Sequence, residues 1–186
     1  VNDSKKLRGA IITFVAGQSP DLDRIYDIAK KYGIILIEDC RSSLGATYNG
    51  KKVGNLRADM TIFSTNPSNS KYAISRSGII VTNNEDIAAR AKLLRTHALT
   101  TTYDSYGNLD YVYDVVDIGH KYDLSELDAA YALAQLNKTE KFIKRRKEIA
   151  KLYERRLSDV KHITVLDHND EHIFTQFIIK ISRNRD

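Results

Sequence analysis

The sequence is poor in residues that staple, break or anchor a chain. One cysteine, Cys40, stands among 186 residues. No internal disulfide can form, and this usage fits a reducing, cytoplasmic compartment. There are two prolines, and no linker is evident before about Ser158. No apolar run approaches the roughly 20 residues that span a bilayer, so no membrane partner is expected. The N-terminal stretch VNDSKKLRGAIITFV has a short apolar run but no small-residue cleavage site, and is not read as a signal peptide. Repeats, low-complexity tracts, zinc-finger spacing and RNA-binding signatures are all missing. The one aromatic-rich stretch, YDSYGNLDYVYD, is acidic rather than basic, so nucleic acid is not the expected partner.

What is present is ordinary for a folded chain with a real core: 42% hydrophobic and 28% charged residues. The net charge is +5, and much of the excess sits in KFIKRRKEIAKLYERR, Lys141 to Arg156. There Phe142, Ile149, Leu152 and Tyr153 fall on one side of a helix and the basic residues on the other. A solvated amphipathic face is the first reading; a nucleic-acid-binding helix competes with it.

Gly9 to Val15 is rich in β-branched residues and predicts a buried strand. SPDLDRIYDIAKKYG predicts a helix, with Ser19 as cap, Pro20 in the first position, Gly33 as stop, and Leu22, Ile25, Ala29 and Tyr32 on one face. Ile34 to Ile37 predicts a second strand, ending in the polar group EDCRSS. Strand, helix and strand with short connections form a βαβ unit, hence a parallel sheet covered by helices. YNGKKVGN reads as a hairpin turn, and Met60 to Ser64 and Gly78 to Thr82 as strands. A helix capped by Asn84 follows. Thr100 to Asp117 shows no period and reads as a long loop. Two more helices are predicted, one capped by Ser125 or Asp123 and running to about Leu136, the basic one to about Leu157. Ile163 to Val165 and Phe174 to Ile181 read as late strands of a smaller sheet. A chain opening into one core strand and stopping just after another is expected to be part of a larger domain.

In open α/β sheets, ligands bind outside the carboxyl ends of the strands. Asp39 sits just past the strand of GIILIED, Ser64 at the end of TIFS, and Lys71 in the loop that follows. A pyridoxal cofactor needs an amine for its aldehyde, a carboxylate at its ring nitrogen, and hydroxyls and N–H groups for its phosphate. This trio could meet those needs. From spacing alone the competing reading stands, in which an acid at a strand end and a solvated loop lysine share no site. Cys40 has no histidine near it in sequence and is not read as a nucleophile. His168 and His172 are four residues apart, but no third ligand accompanies them and LDHNDEHIF reads as a turn, so no metal is assigned.

Several longer stretches carry a more specific signal. AIITFVAGQSPDLDRIYDIAKKYGIILIEDCRSSLGATYNGKKVGNLRADMTIFS, GIIVTNNEDIAARAKLLRTHAL, IGHKYDLSELDAAYALAQL and KFIKRRKEIAKLYERRL occur in this order. The chain resembles the DegT/DnrJ/EryC1/StrS family of PLP-dependent nucleotide-sugar aminotransferases, and its middle region the 4-aminotransferases of amino-dideoxy sugars, including the pseudaminic acid type. The resemblance implies an α/β fold, a three-layer, mostly parallel sheet of PLP transferase fold type I, aspartate aminotransferase-like and partial. Residues 1–136 would be part of the PLP-binding large domain, and residues 137–186 the linking helix and part of a small C-terminal α+β domain. It implies transfer of an amino group from glutamate to a keto nucleotide-sugar, in a homodimer with its sites at the subunit interface. By position, Asp39 matches the aspartate at the pyridine nitrogen and Ser64 the serine near the cofactor phosphate. Ser42 and Asn69 complete the candidate cofactor-binding set, and Lys71 is the candidate catalytic lysine. His97 matches a histidine common in the family.

The chain also departs from the family. The Schiff-base lysine follows the serine of the FS pair by five residues; that position is Asn69 counted from Ser64, or Ser70 counted back from Gly78, and Lys71 lies just beyond both. Ser42 stands where His or Gln is frequent. The acid-Gly-Gly after the lysine loop reads Arg76, Ser77, Gly78. The asparagine and arginine of the GxNYR-like motif are Lys121 and Asp123. Lys121 reads either as a phosphate-neutralising point charge or as a surface lysine. Relative to the family the N-terminal part of the large domain and the last part of the small domain are expected to be missing, leaving apolar sheet faces open. The alternative to an aminotransferase is an inactive truncated or divergent homologue acting as a binding or pairing module, and the isolated chain is expected to be inactive.

Overall fold

A computed structural model describes residues 7–65, 77–103 and 109–182. In chain order the elements are β1 (Gly9–Thr13), a 3-10 turn (Val15–Gly17), α1 (Leu22–Tyr32), β2 (Ile35–Asp39), β3 (Thr47–Tyr48), β4 (Lys51–Lys52), β5 (Met60–Ser64) and β6 (Gly78–Val81). They continue as α2 (Glu85–Arg95), β7 (Leu99–Tyr103), β8 (Leu109–Val115), α3 (Glu126–Leu136), α4 (Thr139–Leu157), β9 (Ile163–Val165) and β10 (Ile179–Ile181). The chain forms two compact units: the described residues of 1–81 and 127–186, and those of 82–126.

The first unit is built on a four-stranded sheet of order β1-β2-β5-β6. β1 pairs with β2 and β2 with β5 in parallel, as the βαβ pattern predicts; β6 returns antiparallel to β5. α1 begins later than Ser19 and Pro20 suggest. Asp21 is its flanking residue, and Gly33 closes it in the left-handed region with φ 62°. The face of α1 turned to the sheet carries Leu22, Tyr26 and Ala29, whereas Tyr32 is exposed. These pack with Phe14, Leu36, Cys40, Ala46 and Phe63, and Ile143 of α4 and Ile173 join the same core. Each such large apolar side chain, fully buried, stabilises the fold by roughly 1.5–3 kcal/mol.

Strand alternation divides the sheet into two faces. Leu36, Glu38, Thr61 and Phe63 are buried on the α1 side. The opposite face carries Ile11, Thr13, Ile35, Asp39 and Ile80; of these Ile11, Ile35 and Ile80 are exposed. Glu38, with 0% exposure, is held by the Tyr26 hydroxyl on one carboxyl oxygen and by Thr61 Oγ1 on the other at 2.8 Å. Burial and the adjacent Glu38 carboxyl push the Tyr26 phenol well above its ordinary range.

The YNGKKVGN hairpin turns at Asn49 and Gly50, both at positive φ. Its exposed N–H groups are capped by the carboxylate of Glu171, which accepts from Asn49 N at 3.0 Å and Gly50 N at 2.8 Å. The C-terminal segment docks on the 3-10 turn: Ile173 N–H donates to Gly17 O and Thr175 N–H to Ala16 O, each at 3.0 Å. α4 buries Thr139, Ile143 and Ala150, a stripe shifted from the Phe142, Ile149, Leu152 and Tyr153 face that the sequence suggests; Ile149 and Tyr153 are exposed. β9 has the bounds expected and pairs antiparallel with β10, which is confined to three residues.

In the second unit, Asn84 caps α2 by accepting from Asp86 N at 2.9 Å and Ile87 N at 3.1 Å. The segment from Thr100 to Asp117, expected to be a loop, instead contributes most of the antiparallel β7–β8 hairpin. Its threonines and tyrosines favour strands through χ1 restriction, without any apolar alternation to announce one. No described helix is long and apolar enough to cross a membrane.

Candidate functional site

The parallel register aligns the carboxyl ends of three strands. Thr13 is opposite Asp39, and Asp39 opposite Ile62. Ser64, two residues beyond Ile62, therefore shares a sheet face with Asp39. Asp39 is the last residue of β2, not a residue past a strand ending at Ile37, because pairing with both neighbours continues through Glu38 and Asp39. Its main chain is held by Phe14 N donating to Asp39 O at 3.0 Å, and Cys40 N donates to Ile62 O at 2.9 Å. The acid is thus fixed on a rigid element rather than on a loop.

Asp39 is buried, and its carboxylate is engaged. Arg41 Nε donates to Oδ1 at 2.8 Å, Arg41 Nη2 to Oδ2 at 2.7 Å, and Arg41 N to Oδ1 at 3.3 Å. The guanidinium bonds hold the Asp39 carboxyl below the usual carboxylate range against the opposing effect of burial, so the group is anionic at neutral pH. Cys40 is fully buried, and that burial pushes its thiol up and keeps it protonated. The turn that follows is closed by Ser43 N donating to Cys40 O at 2.9 Å and Ser43 Oγ to Phe14 O at 3.2 Å. Ser43 is fully buried, whereas Ser42 is half-buried.

Ser64 and Thr65 are buried at the exit of β5. Ser64 is in register with Gly78, and Thr65 N donates to Ser77 O at 3.0 Å. Lys71, Asn69 and Ser70 lie outside the described residues. Their flanks, Thr65 and Ser77, are joined beside Ser64.

Arg41 and Glu38 are the residues that the sequence reading missed. The signal for Glu38 was the alternation of ILIED, which places it with Leu36 on the helix-covered face. The signal for Arg41 was a lone cation two residues past an acid, in a segment otherwise made of small residues.

A cavity of about 290 Å³ opens between the end of β1, the 3-10 turn and the C-terminal segment. Its wall includes Thr13, Gln18, Ser19, His168, His172 and Phe174, but neither Asp39 nor Ser64. His168 Nε2 is 2.6 Å from Glu154 Oε1, and His172 Nδ1 accepts from Phe174 N at 2.8 Å. Burial, with His168 and Lys147 nearby, pushes His172 down to about 4. Among the described residues no three His, Cys, Asp or Glu side chains gather in an arrangement for a metal ion.

Within the second unit, His97 takes the left-handed region at φ 58° and its N–H donates to His120 O at 2.9 Å, so its backbone secures a turn. Lys121 is exposed and pairs through a single bridge with Thr96. Asp117 is paired with Arg90.

Known proteins agree with this architecture. A UDP-4-amino-4,6-dideoxy-N-acetyl-beta-L-altrosamine transaminase of Campylobacter jejuni is 31% identical over 172 residues, which are 91% of this chain and 43% of that protein. The solved structure of Helicobacter pylori PseC, an aminotransferase involved in the biosynthesis of pseudoaminic acid, superposes with a TM-score of 0.86 at 25% identity, over 95% of this chain and 46% of that one. Spr1654 of Streptococcus pneumoniae, in its PLP form, shares the fold with a TM-score of 0.82 at 22% identity, over 96% of this chain and 49% of that one. The chain thus spans less than half the length of each. The fold is that of the fold type I aminotransferases, with a mostly parallel sheet, in part. A family model matches residues 4–186, nearly the whole sequence, and the ordered strand-end acid and serine lie within it: the chain belongs to the DegT/DnrJ/EryC1/StrS aminotransferase family.

Proposed function

We propose that the protein to which this chain belongs is a cytoplasmic, homodimeric, PLP-dependent aminotransferase. It moves an amino group from glutamate to a keto nucleotide-sugar, in the making of an amino-dideoxy sugar for a surface polysaccharide. The observation that carries the reading is a buried, anionic Asp39 at the carboxyl edge of a parallel sheet, on the face shared with Ser64, inside a family match covering residues 4–186. In that protein we assign residues 1–136 to the cofactor-binding large domain and 137–186 to the linking helix and small domain.

The residues present fit the cofactor. The Asp39 carboxylate already accepts two bonds from the cationic Arg41, which is the kind of donor that a protonated pyridine nitrogen presents. Bound PLP would supply an electron sink for the carbon that exchanges its amino group. Asp39 would hold the ring nitrogen protonated. Ser64 would donate to the phosphate, and Ser42 and Asn69 would complete the cofactor-binding set. Lys71 would supply the amine that holds the cofactor and then carries the proton between carbon atoms.

The test is titration of the purified chain with pyridoxal 5′-phosphate, borohydride reduction and peptide mass mapping. A pyridoxyl group on Lys71, with binding weakened about tenfold or more in Asp39→Ala, supports the reading. No adduct, or labels scattered over surface lysines, refutes the assignment of Lys71 and leaves this chain as an inactive homologue.

A further inference from the structure

The pair formed by Asp39 and Arg41 is more than a surface ion pair. Both guanidinium contacts are short and parallel, one to each carboxylate oxygen, and the backbone N–H of Arg41 adds a third. The carboxylate is nearly buried, with 11% of its side chain exposed, whereas the Arg41 side chain is 54% exposed. One partner is therefore fixed by the sheet, and the other is a long, half-exposed side chain on the turn that follows it.

A carboxylate committed at both oxygens to one cation cannot give a second cation the same geometry. We propose that Arg41 is an internal competitor for the cofactor's ring nitrogen: its guanidinium holds Asp39 and must leave before a pyridinium can bind there. The inference rests on the assignment of Asp39 to the ring nitrogen. It adds that affinity is set by an exchange of one cation for another, not by occupation of an empty acid. The exchange makes ring-nitrogen recognition weaker than an unpaired aspartate would make it. It also spares the chain a buried charge without a partner while the cofactor is absent.

The experiment compares two probes that lack the aldehyde, so that Lys71 plays no part. One is pyridoxine 5′-phosphate; the other is its carbocyclic analogue with a ring C–H in place of nitrogen. Affinities for the full chain and for Arg41→Ala are measured by calorimetry, with circular dichroism confirming that the exposed substitution leaves the fold intact. The expected result is that Arg41→Ala raises the preference for the ring-nitrogen probe over the carbon probe by about two- to fivefold, the upper part of the range for a half-exposed ion pair. Arg41→Lys, which keeps the charge but loses the bidentate fork, falls between. An unchanged preference, or equal tightening of both probes, overturns the proposal, because the arginine then acts on the phosphate or not at all. Failure of every variant to bind either probe overturns it together with the assignment of Asp39; where the probes do bind, Asp39→Ala tells the two apart, because it abolishes the preference only if that assignment holds.

Discussion

Tyr26→Phe is the most informative single substitution in the core. It deletes one hydroxyl and keeps the ring, which packs beneath α1 with the Arg57 guanidinium 4.9 Å from its centroid. The loss falls on Glu38. That carboxyl group has no exposed surface, and it holds two hydroxyl donors, Tyr26 and Thr61. Removing the first leaves a buried oxygen without that donor. The general penalty for such a group is about 1–3 kcal/mol, so Tyr26→Phe is expected to destabilise the chain by roughly 2–3 kcal/mol, a large part of the 5–15 typical of domains. Urea unfolding followed by far-ultraviolet circular dichroism measures this, with an unchanged denaturant slope expected. Replacing the whole network by Tyr26→Phe, Glu38→Met and Thr61→Val together should recover much of the loss, since no polar group is then stranded. An alkaline titration gives a second reading. The folded phenol titrates above its unfolded value, so the stability tied to it is complete below about pH 10 and declines as pH rises beyond. A Tyr26→Phe variant within about 0.5 kcal/mol of the parent would show that the Glu38 network is not what holds α1 to the sheet.

Two further substitutions examine the C-terminal segment. His172 titrates near 4 in the fold against 6.5 unfolded, so the unfolded chain takes up the proton first. Stability is complete above about pH 6.5 and falls toward pH 4, by roughly 2–3 kcal/mol between pH 7 and 4.5. His172→Gln should flatten that slope, and an unaltered slope in urea titrations at the two pH values would refute the assignment. Gly17 has φ 93°, and a Cβ there would lie 2.7 Å from Ile173 Cγ1 and 3.0 Å from Thr175 Oγ1. Gly17→Ala should therefore cost about 2–4 kcal/mol and expose the C-terminal segment to protease, whereas a neutral effect on both would show that the docking can yield.

Much of the framework was written locally. A β-branched apolar run placed β1, a 3.6-residue pattern placed α1, a short apolar run placed β5, Gly33 ended α1, Asn84 capped α2 and Asn-Gly turned the β3–β4 hairpin, because each depends on residues a few positions apart. Acid at one strand end and serine at another were visible for the same reason. Where local preference was divided, the reading slipped. The threonine-rich run before Tyr103 has strand propensity but no apolar alternation. α4 offers several apolar stripes, and Ile143 rather than Ile149 reached the core because the residues facing it were chosen by the fold.

What the tertiary structure alone decided lies in pairings between distant or flexible groups. Glu171 caps a hairpin tip 121 and 122 residues away in sequence. Ile173 and Thr175 seat on the 3-10 turn after β1. Register, not composition, brought Asp39 and Ser64 to one face of the sheet. Arg41 is only two residues from Asp39, yet its partner followed from a turn conformation and a long side chain with many rotamers. Local patterns specify which elements form; only packing settles which charges and hydroxyls meet, because those contacts depend on backbone positions that many separated segments fix together.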